Sequence, residues 1–260
     1  MQRCAWALLL SMAVLLACNG GAIMAAAKTA SGVKRLLPAG MVHLRQIDAS
    51  IEQDMRYAGR HNFLGRRVRG YLAGTCILTR RTALALRRVQ RRLRKSQLSL
   101  KVYDCYRPRR AVRDFVRWAR RKGDRIAKAE FYPQIDKTTL FARHFISKHS
   151  KHSYGNTVDL TIVPLGSQQP SIAPGQPRKA CHLPKARRVP DNSLELGTGF
   201  DCFHRWSGNG LPRSKTVAWR NRRLLNRVMR AAGFHGYHRE WWHFTLRGAG
   251  TDRPMYFPVR

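Results

Sequence analysis

Five side chains, spread over three short stretches of the sequence, could between them activate a water molecule. His152 and Asp159 lie in Ser150-Lys-His-Ser-Tyr-Gly155-Asn-Thr-Val-Asp159, Glu240 and His243 in Glu240-Trp-Trp-His243, and Arg107 in Tyr106-Arg107-Pro108. Two imidazoles and a carboxylate (His152, His243, Asp159) are the donor set of a catalytic zinc, which takes three protein ligands and keeps a fourth position for water. Such a metal makes the water acidic enough to attack at neutral pH. Glu240 would be a spare carboxylate able to take the proton, and Arg107 the natural partner of an oxyanion.

Each stretch needs an element to aim it. Gly155 lies between His152 and Asp159, so a turn there could bring a loop imidazole back beside a strand carboxylate. His149 is a rival to His152, but the residue seven further on is Asn156, a poorer ligand than a carboxylate. His43, His61 and His144 read as ordinary surface or packing residues. Glu240 and His243 are three residues apart, and on a regular strand they would face opposite sides; a bulge or strand end has to turn both toward one ion.

The elements follow from the hydrophobic pattern. Residues 28–50 read as an N-terminal arm leading to a strand near Ile51–Tyr57. Thr82, Leu86, Val89 and Leu93 recur at helical steps within Thr79–Lys95, with arginines around the rest of the helix. Leu98–Tyr106 is a strand that delivers Arg107, and Pro108 opens a helix with Val112, Phe115, Val116 and Ala119 inward. Thr157–Val163 alternates as a strand carrying Asp159. Residues 164–200 hold Pro170, Pro174, Pro177, Pro184 and Pro190 with little periodicity, a long irregular loop pinned at Cys181. Lys215–Ala232 predicts a third long helix with Val217, Leu224, Val228 and Ala232 inward and Gly233 as its stop, and Trp241–Leu246 is rich in strand formers. With no internal repeat and no composition break, one α+β domain is the economical reading.

Bulk properties set the context. Arg3, the apolar run that follows it and the small residues through Ala27 have the layout of a secretory signal cleaved after Ala27. Leu15-Leu-Ala-Cys18 also resembles a lipoprotein box, with Cys18 as the anchor. No later stretch is apolar for long enough to span a membrane, and the location expected is exported or periplasmic. Of six cysteines, Cys4 and Cys18 leave with residues 1–27, and an even count of four remains. In an exported chain that implies two disulfides, for which three pairings exist. Cys76–Cys105 and Cys181–Cys202, sequence neighbours, are preferred over the alternative of buried free thiols.

Net charge is +36, from 50 Lys+Arg and 14 Asp+Glu. Such a surface attracts polyanions, whether anionic lipid, acidic envelope polymer or nucleic acid. A solvated charged coat is the plainer reading, and no specific nucleic acid is expected. With so few acids, finding Asp104, Asp159, Asp201 and Glu240 in candidate motifs is more informative.

Four motifs together carry a resemblance: the S-x-H-x-x-G-x-x-x-D stretch from Ser150, Tyr103-Asp104-Cys-Tyr-Arg107-Pro108, Leu196-Gly-Thr-Gly-Phe-Asp201, and Glu240-Trp-Trp-His243. In this order, and with Asp54-Met-Arg-Tyr57-Ala58 and Asn62-Phe-Leu-Gly65 ahead of them, they resemble the D-alanyl-D-alanine dipeptidases, zinc enzymes related to D,D-carboxypeptidases and to the hedgehog signalling domain. The similarity runs from about Ile51 to Leu246, making 51–260 the expected catalytic domain. It implies a central, mostly antiparallel sheet with flanking helices and one zinc held by His152, Asp159 and His243. It further implies Glu240 as catalytic base, Arg107 as transition-state stabiliser, and Ser150, Asp104 and Asp201 near a small D,D-dipeptide substrate. Tyr154 stands where the family often has Arg, and His204 where an acid is common. Two alternatives stay open: a murein D,D- or L,D-peptidase on the same scaffold, and a non-catalytic binder of anionic envelope polymer.

Overall fold

A computed structural model of the chain describes residues 37–172 and 176–260. Residues 1–36, with the expected leader, Cys18 and the first part of the arm (28–36), lie outside the described residues, as do 173–175. Leu37–Arg260 forms one compact unit, and among the described residues no helix is long and apolar enough to cross a membrane.

The described chain begins with β1 (Met41–His43), α1 (Leu44–Ile47) and β2 (Glu52–Gln53), followed by a 3₁₀ turn at Arg56–Ala58. The strand expected over Ile51–Tyr57 is therefore cut to two residues. β3 (Ile77–Thr79) pairs with β1 as a separate two-stranded sheet. α2 (Arg80–Arg94) starts at Thr79, whose hydroxyl accepts from the Thr82 N–H, and it buries Thr82, Leu86, Val89 and Leu93 as the spacing predicts. β4 (Leu98–Asp104) leads to α3 (Arg109–Arg120), with Pro108 just ahead of its first turn, then to the short α4 (Lys128–Phe131). β5 (Thr157–Pro164), α5 (Thr216–Arg230), β6 (Phe234–Tyr237) and β7 (Glu240–Leu246) complete the fold.

The main sheet has the order β2-β4-β5-β7-β6. β2 runs parallel to β4, and every other pairing is antiparallel. Leu100, Val102, Val158, Leu160, Ile162 and Phe244 meet α2 and α5 in one core. A second, aromatic core gathers Tyr57, Phe63, Phe115, Trp118, Tyr132 and Phe203 around α3. Both preferred disulfides are present, Cys76–Cys105 and Cys181–Cys202.

The inward face of α5 differs from the expected stripe. Val217 is 48% exposed, while Ala218, Leu225, Val228 and Met229 are buried. Arg222 is buried with them, and its guanidinium donates to the Leu196, Gly208 and Trp206 carbonyls. An arginine that serves loop carbonyls occupies a position a hydrophobic pattern assigns to solvent. Burial draws its pKa down to about 10. The 164–200 loop is irregular as expected, and it is tied to the sheet. Leu194 N–H bonds to Ile162 O, and Asp191 pairs with Arg56 (2.7 Å) and the buried Lys101 (3.0 Å).

Candidate active site and metal centre

Asp159 sits within β5 between two partners, opposite Asp104 of β4 on one side and His243 of β7 on the other. Sheet register alone brings the carboxylate and the second imidazole together. His152 lies on a 3₁₀ turn, Lys151–Tyr154, that ends at Gly155 with φ 72°. The left-handed φ favours glycine here, while the atom an added Cβ would meet first, the Met41 Cε at 2.9 Å, is the movable end of a flexible side chain. Glu240 is the first residue of β7, where the pairing with β6 shifts register between Gly236 and Tyr237. This irregularity turns Glu240 to the side of His243, 3.5 Å from Oε2 to Nδ1.

The three proposed ligands converge. His152 Nε2 lies 3.2 Å from His243 Nδ1 and 3.2 Å from Asp159 Oδ1, and His243 Nδ1 lies 3.0 Å from the same oxygen. Donors around a tetrahedral ion with bonds of about 2.0–2.1 Å stand roughly 3.3 Å apart, so the triad fits a divalent ion. His152 Nδ1–H donates to the Cys105 carbonyl (2.8 Å), which leaves the Nε2 lone pair facing inward. Burial alone would raise the Asp159 carboxyl, but the His152 and His243 imidazoles outweigh it and hold it well below the usual carboxylate range. Cys181, His182 and Cys202 also cluster, but their sulfurs form a disulfide rather than thiolate ligands.

Arg107 is fixed on several sides. Its Nε donates to Asp104 Oδ2 (2.9 Å), its Nη2 reaches Asp159 Oδ2 (3.4 Å), and its guanidinium stands 5.1 Å from the Tyr57 and Phe115 ring centres. Asp104 lies behind it, fully buried, with Oδ1 accepting from the Tyr71 hydroxyl (2.7 Å). The cavity wall does not include Asp104. β4 carries the Asp104 carboxylate beneath the guanidinium, where it supports Arg107.

The ligands, Arg107 and Glu240 open onto a cavity of about 770 Å³, whose wall also includes Ser150, Asp201 and Tyr57. Asp201 has a left-handed backbone, φ 57°, and its Oδ2 accepts from the Tyr57 hydroxyl (2.8 Å). Burial, helped by the nearby Asp159 charge, pushes its carboxyl well above the usual range. Burial likewise raises Glu240 to about 7, against the pull of His243. Tyr154, His144 and His149 line the same cavity, whereas His204 faces elsewhere and accepts from the Trp206 N–H. Tyr57, Tyr71 and the Cys105 carbonyl are the supporting groups that motif spacing misses. Tyr57 lies inside a recognisable stretch, but nothing local marks Tyr71.

Comparison with known proteins accounts for this assembly. The sequence profile of the family described as D-ala-D-ala dipeptidase matches residues 38–171 and 187–259. The D-alanyl-D-alanine dipeptidase of Enterococcus faecalis is 31% identical over 80% of this chain and 91% of its own length. The enzyme of that name from Streptomyces coelicolor is 33% identical over 78% and 89%, and that from Escherichia coli K12 is 30% identical over 81% and 86%. The whole matched length covers the site built above, including all three converging ligands, Glu240 and Arg107. The chain belongs to the D-Ala-D-Ala dipeptidase family of metallopeptidases, with its hedgehog/D,D-peptidase-like α+β fold.

Proposed function

We propose that this protein hydrolyses D-alanyl-D-alanine to free D-alanine with one zinc held by His152, Asp159 and His243. The observation that carries this reading is the convergence of three ligand atoms within 3.2 Å of one another beside Glu240 and Arg107. The zinc, when bound, supplies Lewis-acid polarisation of the scissile carbonyl and acidifies a water. Glu240 takes the proton from the attacking water and hands it to the departing amine nitrogen. Arg107, held by Asp104, donates to the oxyanion that forms at the attacked carbon. Asp201 and Ser150 line the cavity where the dipeptide's ends would be bound, and the substrate's ammonium would supply the opposite charge that offsets the burial holding the Asp201 proton.

A dipeptidase that binds an ammonium with a buried acid rejects a substrate whose amine is blocked. Free D-Ala-D-Ala should be cut and its N-acetyl form should not; equal turnover of the two would overturn the assignment of Asp201 and the dipeptidase reading. The murein-peptidase reading is the alternative that cleavage of the blocked substrate would establish. In this reading the stretch from Arg3 to Ala27 is a leader cut after Ala27, and the mature enzyme works outside the cytoplasm.

A further inference from the structure

Two covalent cross-links stand directly behind the reacting groups. Cys76 precedes β3, Cys105 follows β4, and both are fully buried. The Cys105 carbonyl receives the His152 Nδ1–H, and Arg107, two residues on, bonds its own backbone N–H to His152 O (3.3 Å). The preceding residue, Asp104, holds the Arg107 guanidinium. The anchor of one metal ligand and the anchor of the arginine thus both lie next to a single bridged sulfur.

The second cross-link repeats this arrangement on another wall of the cavity. Cys202 follows Asp201, whose left-handed backbone persists only where its surroundings over-determine it. Those surroundings are the bond to Cys181 and a set of backbone hydrogen bonds: Cys181 N–H to Glu130 O, Gly199 N–H to Cys181 O, and Phe203 N–H to Phe131 O. A disulfide that stabilised only by restraining the unfolded chain would need neither placement.

We propose that the two disulfides are positioning devices with separate duties: Cys76–Cys105 sets His152 and Arg107, and Cys181–Cys202 sets Asp201 at the substrate wall. The inference rests on the site reading given under Proposed function. It makes the oxidised chain the competent form, because reduction would loosen metal and substrate contacts independently.

The test compares wild-type holoenzyme with the pair variants Cys76→Ser/Cys105→Ser and Cys181→Ser/Cys202→Ser, each well below its melting temperature. The first pair should lose zinc to chelator about tenfold more readily, as loss of support for a ligand does. Its kcat should fall while KM stays near wild type. The second should keep wild-type resistance to chelator and show a KM for D-Ala-D-Ala raised about tenfold, in line with a misplaced polar contact. Variants that melt earlier yet keep wild-type zinc retention, kcat and KM would overturn the proposal, as would two variants with the same mixture of defects. If a pair variant does not fold, native holoenzyme is partly reduced with a phosphine and its thiols are assigned by mass. Zinc loss should then track the first bridge and KM the second, and partly reduced enzyme with native constants would overturn the proposal. A wild-type protein inert on D-Ala-D-Ala would refute the dipeptidase reading instead, while chelator resistance would still report on the first bridge.

Discussion

Arg107 concentrates the physics of the site in one side chain: a guanidinium that is permanently charged, packed on two rings and clamped between Asp104 and Asp159. Positioned donors of this kind contribute about 3–4 kcal/mol to turnover. Arg107→Ala should therefore keep its zinc and lose roughly a hundred- to a thousandfold in kcat; near-native turnover would remove it from the mechanism. It should also melt earlier, since two buried acids lose a partner. Glu240→Ala should bind zinc normally and be inactive in steady-state assays, whereas His152→Ala and His243→Ala should fail to retain metal in metal analysis. At this scale the residues that meet around the cavity were legible, because their identity and order are written in the chain. The contact between Asp104 and Arg107 was not, since it depends on the register of β4 against β5.

Elements were legible where their period was long. α2, α3 and β5 lie within a residue or two of the spacing that predicts them, because each buries a repeated apolar stripe. β1, β3 and β6 were not, being strands of three or four residues defined by their partners rather than by pattern. The irregularity between Glu240 and Phe244 was required by the E-x-x-H spacing yet had no local signal, since it arises in the pairing with β6.

Asp191 also belongs to this scale, fastening the long loop to the sheet. Burial alone would raise its carboxyl, but the Arg56 and Lys101 charges outweigh burial and hold it well below the usual range. A folded-state pKa lower than the unfolded value of about 3.9 gives stability that is fully present above that pH and drains away as pH falls. Asp191→Asn should cost roughly 3 kcal/mol at neutral pH, as removal of one partner from a buried pair does. Thermal melts should show the gap between variant and wild type narrowing toward pH 3, and a gap constant with pH would contradict this account of the loop.

The whole molecule is defined by its charge and by its start. Removing residues 1–27 takes away Arg3 alone among charged residues, so +36 becomes +35. A surface of that sign should bind anionic vesicles at low salt and release them as salt rises; salt-independent binding in co-sedimentation would point to a lipid anchor instead. Export should leave Lys28 as the first residue on N-terminal sequencing, and a protein beginning at Cys18 would show that the lipoprotein box is used. The most direct measurement is zinc content per chain by mass spectrometry together with D-alanine release from D-Ala-D-Ala before chelation, after it, and after zinc is restored. One zinc per chain, with activity lost to chelator and regained with zinc, is the predicted result. A metal-free protein, or hydrolysis indifferent to the chelator, would contradict it.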